Sequence, residues 1–438
     1  MATTVAVGNV SVSTNGALTG QLLGQFASAL SASTPVTVTS NALPPSDGKY
    51  DQTLLIPASV TGAISVPAGY EFVIYQGTQG SLVSSDPKEI IIGDLNYAGG
   101  AGTVLSVASS PSAASNGMVA DSTAGAMLSF AGSSNSVTAS GAGQTVQLDG
   151  TTNMIWLTAA SGATSTVFAN GAGALGGNWV SMGGAAGEFV GGGATNSVYG
   201  GAGADTVIAG TSVLYTGTSG SNLFVGGTGT STVYGAAKET IYGGTGNGVY
   251  SLAANSTDFV VAHGGAASSS MVHDTVMLGS GSVMADVWGN ANESMSIGAA
   301  PSATGALVVA YGTNDSIALA NTSTAGAVNN EIVMWNANFG PGAFTGNTTL
   351  TGSSAGHDVY VMFGNLTQFG STAEAAHTIV INNWQSTDLL NLSAGYSSTD
   401  VATAQAAIGA GNTSFTLSDG TTVQLNGAKP GTGQIYHQ

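Results

Sequence analysis

The sequence predicts an all-β fold, a parallel β-solenoid or β-roll built from degenerate nonapeptide repeats, flanked by a small N-terminal module and a β-rich C-terminal region. Three observations predict it. Apolar residues recur every nine positions, 67 of the 438 residues are glycine, and Val, Ile, Leu and Tyr fall in short groups between the Gly-rich turns. A period of nine is one short strand plus one turn, a unit too small to bury its own apolar face and therefore stable only when stacked.

Residues 1–95 differ from the rest of the chain. Leu18, Leu22, Leu23, Phe26 and Leu30 are spaced as one face of a helix, and Pro-punctuated strands such as Tyr70 to Tyr75 follow. This segment reads as a separate assembly module. Met1 to Gly8 lacks the basic region and continuous apolar stretch of a secretory signal.

The solenoid is expected over residues 96–360, with its clearest repeats at 191–250. Val137, Val146 and Ile155 are nine apart, each preceded two positions earlier by Asn135, Gln144 or Asn153. The frame continues in Gly191 to Tyr199 and, without a gap, in Gly200-Gly201-Ala202-Gly203-Ala204-Asp205-Thr206-Val207-Ile208. Further copies run from Gly217 to Val225 and Gly226 to Tyr234, with shortened ones at Gly235 to Tyr242 and Gly243 to Tyr250, placing Phe224, Val233, Ile241 and Val249 at the apolar position. Glycine supplies the tight turn conformations, and the branched or aromatic residue points into a shared core. Beyond residue 260 the acid-then-apolar signature persists at looser spacing in Asp274-Thr275-Val276, Asp315-Ser316-Ile317 and Asp358-Val359-Tyr360.

Residues 361–438 shift again, with strand-like Thr378 to Trp384 and Asp388 to Leu392, an Ala-rich helix near Val401 to Ile408, and a hairpin from Ser414 to Val423 turning at Asp419-Gly420.

Gly200 to Ile208 matches the Gly-Gly-x-Gly-x-Asp-x-apolar-x pattern at every defined position, and the run of copies around it resembles the repeats-in-toxin (RTX) family. The last eighty residues resemble the C-terminal regions of proteins exported by type I secretion. The resemblance implies an extracellular or bacterial cell-surface location and calcium held between same-side turns by carbonyls and repeat aspartates. Carried over position by position, the aspartate site is occupied by Asn196, Asp205, Asn222 and Ser231, with Asp274, Asp315 and Asp358 as further candidates. The two-repeat neighbour of Asp205 is thus Asn222, which offers one carbonyl oxygen and no charge, so calcium is expected at few sites. Where calcium is absent, Asn, Ser and Thr close the same loops by bonding to backbone.

Composition narrows the function. The only basic side chains besides histidine are Lys49, Lys88, Lys238 and Lys429, there is no arginine, and the net charge is −18. Such a chain repels phosphate backbones and anionic lipid, which excludes nucleic acid as a partner. With no cysteine there is no disulfide framework or thiol nucleophile, and uncharged stretches such as Gly150 to Gly187 are too often broken by Gly, Ser, Thr and Asn to span a membrane.

No His-Glu-x-x-His motif is present, and His263, His273, His357, His377 and His437 are scattered. Gly352-Ser353-Ser354-Ala355-Gly356 has the form of a nucleophile elbow, yet strand-like residues follow it where a helix is required. A polysaccharide lyase or epimerase lacks a cationic group to stabilise an enolate. An ice-binding face lacks its regular Thr-x-Thr ladder, and a toxin lacks a long pore segment. The expectation is a non-enzymatic, self-assembling structural protein of the cell surface or biofilm matrix, in a surface layer or extracellular filament, with itself and cell-surface polysaccharide as partners. The alternative is a monomeric carbohydrate-binding adhesin or polysaccharide-acting solenoid enzyme, with Trp156, Trp179, Trp288, Trp335 and Trp384 as sugar-stacking candidates.

Overall fold

In the computed structural model the described residues are 33–75, 136–169, 177–261, 347–364 and 378–438, with short gaps. Elsewhere chiefly the strands are described: Thr3–Val7, Val10–Thr14, Gly80–Ser84, Ile90–Gly93, Val104–Ala108, Met118–Asp121, Met127–Ala131, Val272–Leu278, Ala285–Gly289, Glu293–Ala299, Ala306–Ala310, Ser316–Asn321 and Asn329–Trp335. The chain divides into two compact units, Met1–Gly220 and Ser221–Gln438. The helix expected around Leu18 to Leu30 lies outside the described residues.

Apart from the antiparallel pair Thr3–Val7 and Val10–Thr14, which forms a sheet of its own, each unit is a parallel β-solenoid. In the first, a strand pairs not with its successor but with the strand after that, so Ser136–Ala139 pairs with Met154–Leu157 while Thr145–Leu148 pairs with Ser165–Ala169. One nonapeptide crosses one face and the next crosses back, so two repeats complete a coil and two open parallel ladders result. Residues 34–93 are not set apart by fold. Their strands stack parallel, and Ile90–Gly93 pairs directly with Met118–Asp121. No change of ladder therefore marks the boundary expected near residue 95.

The inward positions form the core between the two ladders. Val137, Val146, Ile155, Val167, Val180, Phe189, Val198, Val207 and Tyr215 are all buried in the first unit. Full burial of one such side chain contributes roughly 1.5–3 kcal/mol, which a single turn cannot realise alone. Glycine is obligatory where turns of successive coils touch through their backbones: a Cβ on Gly201 would stand 1.6 Å from the Gly183 carbonyl oxygen.

The second unit repeats the plan, with Ser221–Val225 pairing Lys238–Tyr242 and Ser231–Tyr234 pairing Gly248–Ser251. Phe224, Val233 and Ile241 are buried as expected, but Val249 is 37% exposed and Tyr250 is fully buried in its place. The repeat beginning at Gly243 is therefore a full nonapeptide. With Gly248 at the acid position there is no side chain to mark its frame.

The ladders continue through Thr348–Thr351, His357–Phe363, Thr378–Trp384 and Leu389–Leu392. Helix α1, Ser398–Gly409, follows, opened by a capping box in which Ser397 and Asp400 satisfy each other's backbone N–H. Ser414–Thr416 then folds back antiparallel on Thr422–Gly427, the last strand of one ladder, and Ile435–Tyr436 ends the other. The antiparallel strand occupies an edge that would otherwise invite a further coil.

Candidate functional site at the coil corners

The residue two positions before each inward apolar residue sits where turn becomes strand, and there the structure places its buried polar groups. Gln144, Asn153, Ser165, Asn178, Asn196 and Asp205 occupy this position in the first unit, each at most 3% exposed. Side chains at such corners accept from backbone, and the acceptors have two sources of N–H.

The first source is the corner's own turn. The N–H of Gly141 donates to Gln144 Oε1 at 2.9 Å and that of Gly201 to Asp205 Oδ2 at 2.7 Å. The second source is the matching corner one coil earlier. Gly187 N–H donates to Asp205 Oδ1 at 2.9 Å, Asn153 N–H to Asn178 Oδ1 at 3.0 Å, and Asn178 N–H to Asn196 Oδ1 at 3.3 Å. The Asn153 and Asn178 amides also donate onward, at 3.0 and 3.1 Å, making an amide ladder through three coils.

Acids fill the same role in the second unit. Glu239 Oε1 accepts from Ala236 N–H at 2.7 Å and from the Asn222 amide at 3.0 Å, and Glu239 N–H donates to Asp258 Oδ1 at 2.8 Å. Asp274 accepts from Gly248 N–H. Asp358 accepts from Ser353 N–H at 2.7 Å, while its own N–H donates to Asp388 Oδ1 at 3.1 Å, and Gln385 N–H donates to Asp388 Oδ2 at 2.8 Å. Ser353, in the string that has the form of a nucleophile elbow, is buried and gives its hydroxyl to Asp358. It closes a corner, and the next described element is the strand His357–Phe363.

Burial pushes the carboxyls of Asp205, Asp258 and Asp388 above the usual range, and Asp388, which also has Asp358 as a neighbour, reaches about 6. Asp400 is the reverse case. Its burial acts upward, but hydrogen bonds from Ser397 and Ser418 outweigh it and hold the group low.

The candidate ligands are distributed along the ladders. Asn196 and Asp205 stand at corners of opposite ladders of the first unit. Asn222 and Asp358 share a ladder of the second unit several coils apart, Asp274 lies on the other, and Asp315 is outside the described residues. Among the described residues no three His, Cys, Asp or Glu side chains converge as a metal would require. Calcium takes six to eight oxygens. Asp205 fits such a cage poorly, because both its oxygens receive backbone N–H and its ladder neighbour one coil earlier, Gly187, brings no side chain. Asp388 likewise has both oxygens taken by backbone N–H, so the stacked pairs Glu239/Asp258 and Asp358/Asp388 differ from Asp205 in charge alone, with two carboxylates at each place.

Asn178, Glu239, Asp258 and Asp388 were not among the residues expected at the site. Each precedes a buried Val, Ile or Leu by two, which is a signal the sequence carries. The corner-to-corner bonds span 25 residues at Asn153–Asn178 and 30 at Asp358–Asp388, against 18 at Asn178–Asn196, so inserted loops break the nine-residue count there.

Of the tryptophans, Trp384 is wholly buried and stacks on Tyr360 at 5.7 Å. Trp156 and Trp179 lie on the outer face of the first unit, half-buried, and the side chains of Trp288 and Trp335 are outside the described residues. No family model, no curated protein and no solved structure matches the chain.

Proposed function

We propose that the chain is a secreted, self-assembling structural protein of the bacterial cell surface or biofilm matrix, part of a surface layer or extracellular filament. The observation that carries the proposal is the character of the outward faces. Met154, Tyr199, Tyr234, Tyr242, Val249 and Met277 are each at least 36% exposed, on strands of a chain with four basic side chains. On a parallel ladder the outward residues of successive coils stand side by side at the strand spacing, so weak apolar contacts add up along a unit. A contact between different patches that does not close a ring propagates into a sheet or fibre.

Export by a type I route through the C-terminal region belongs to the same proposal, on the strength of the repeat resemblance. So does stabilisation by calcium, whose best-supported place is the stacked acid pairs rather than Asp205. A monomeric carbohydrate-binding adhesin is the second reading, and the outward tryptophans favour it.

Negative-stain microscopy of the purified protein in millimolar calcium and again in chelator tests the assembly. Ordered arrays or fibres are expected with calcium, dispersing on chelation. Single particles under both conditions would reject the polymer.

A further inference from the structure

On the outer face of one ladder of the first unit, the strands Ser136–Ala139, Met154–Leu157, Trp179–Ser181, Thr195–Tyr199 and Ser212–Thr216 lie side by side in parallel register. Their outward residues form two rows. One runs Met154, Trp179, Ser197, Leu214, and the other Trp156, Ser181, Tyr199, Thr216. The aromatic rings zigzag between the rows, with centroids 5.4 Å apart for Trp156–Trp179 and 5.3 Å for Trp179–Tyr199.

We infer that this strip binds a neutral, extended, β-linked polysaccharide. Three features select that occupant. The rings are tilted by 55° and 40° to one another, so they brace each other without covering each other's faces as a parallel stack would. No residue of either row is charged, and the remaining positions of the second row are hydroxyls, Ser181 and Thr216. Rings beside hydroxyls on an uncharged floor match a pyranose chain, whose C–H faces stack on aromatics while its rims hydrogen-bond. The spacing also agrees: parallel strands are about 4.8 Å apart, close to the advance of one β-linked pyranose, so Trp156 and Tyr199, two strands apart in one row, stand under alternate sugars. Bracing of the rings before binding lowers the ordering cost. The net charge of −18 argues against an anionic chain such as a polyuronate. This site rests on the carbohydrate-binding reading and deepens it, and it shares Met154 and Tyr199 with the exposed residues cited for assembly, so glycan binding and self-association are read separately.

The test uses the full chain, dispersed at low concentration, titrated with cellohexaose and chitohexaose while tryptophan fluorescence is followed. Cellobiose and a hexameric polygalacturonate serve as controls. Saturable quenching by a neutral hexamer is expected, with the disaccharide too short to cover both Trp156 and Tyr199 and the polyuronate silent. W179A should weaken hexamer binding about tenfold or more, the scale of one stacking contact. S181E, which puts a charge between Trp156 and Tyr199 and removes no ring, should do the same in a protein whose circular dichroism and melting are unchanged. Absence of saturable binding to both neutral hexamers overturns the inference. So does an S181E variant that binds glycan normally, including one that loses only self-association in sedimentation, which would make the strip a contact between copies. Microscopy of the same variants reports separately on the polymer.

Discussion

Asn178 shows what a corner residue does in this fold. Its side-chain oxygen takes two donors from Asn153, the backbone N–H and the amide, and its own amide reaches Asn196. Alanine there takes the acceptor from two buried donors, the Asn153 backbone N–H and amide, while Asn196 Oδ1 keeps the Asn178 backbone N–H, and each stranded donor costs about 1–3 kcal/mol. N178A is therefore expected to lower the urea midpoint of the first unit by several times what a surface substitution does, with the m-value retained. A midpoint equal to wild type would show that the amide ladder does not hold the coils together. The sequence marks Asn153 and Asn196 as corner residues because each lies two before an apolar residue in a nine-residue frame. Asn178 has the same Asn-x-Val signature and lies two repeats before Asn196, but the loop before it cuts it off from the frame of Val137, Val146 and Ile155, so it is found only by counting backward from the later repeats. Val249 fails for a related reason: hydropathy prefers Val over Tyr for the core, whereas packing put Tyr250 there.

At the scale of a strand and its turn, the large core residues make demands on neighbouring glycines. Tyr360, at the centre of the strand His357–Phe363, is buried, and a Cβ on Gly352 would come within 2.4 Å of its hydroxyl. That hydroxyl has no hydrogen-bond partner among the described residues, and burial keeps it from ionising. Two outcomes follow. Y360F should be neutral or stabilising by about 1 kcal/mol, since it removes a buried polar atom and no bond. G352A should destabilise in the Tyr360 background and be largely rescued by Y360F, a coupling that a double-mutant cycle on thermal or urea unfolding measures. Additive effects would mean that Gly352 is required by its backbone and not by the phenol. Other elements were legible without any of this. Helix α1 announces itself by Ser397 followed three residues later by Asp400, and the hairpin by Asp419-Gly420, because caps and tight turns are local chemistry. The division into units at Gly220 and Ser221 was not legible, since the repeats run across that point in sequence with no change of composition.

For each unit as a whole, the corners accumulate carboxylates in a chain with very few cations, and this sets how stability responds to pH. Asp205 in the first unit, and Asp258 and Asp388 in the second, are held above the ordinary aspartate range, chiefly by burial. An acid whose folded value is raised binds its proton more tightly in the folded state than in the unfolded one. Its favourable contribution is complete below the unfolded value, near 4, and is lost as pH rises through the folded value, about 6 for Asp388. Melting temperature should therefore climb as pH is lowered from 7.5 to about 5, opposite to the acid lability of proteins whose carboxylates are paired with lysine or arginine. Below about 4 the trend should reverse, because Asp400 is held low by Ser397 and Ser418, and the cap of helix α1 weakens when it protonates. Scanning calorimetry across this range at constant ionic strength checks both limbs. The same charges distinguish the role of calcium. If the ion relieves the stacked acids Asp358 and Asp388, millimolar calcium at pH 7.5 should raise the melting temperature and flatten the climb toward pH 5, because proton and cation then compete for one negative site. A climb of equal steepness with and without calcium would place any calcium effect on assembly away from these corners, at contacts between copies.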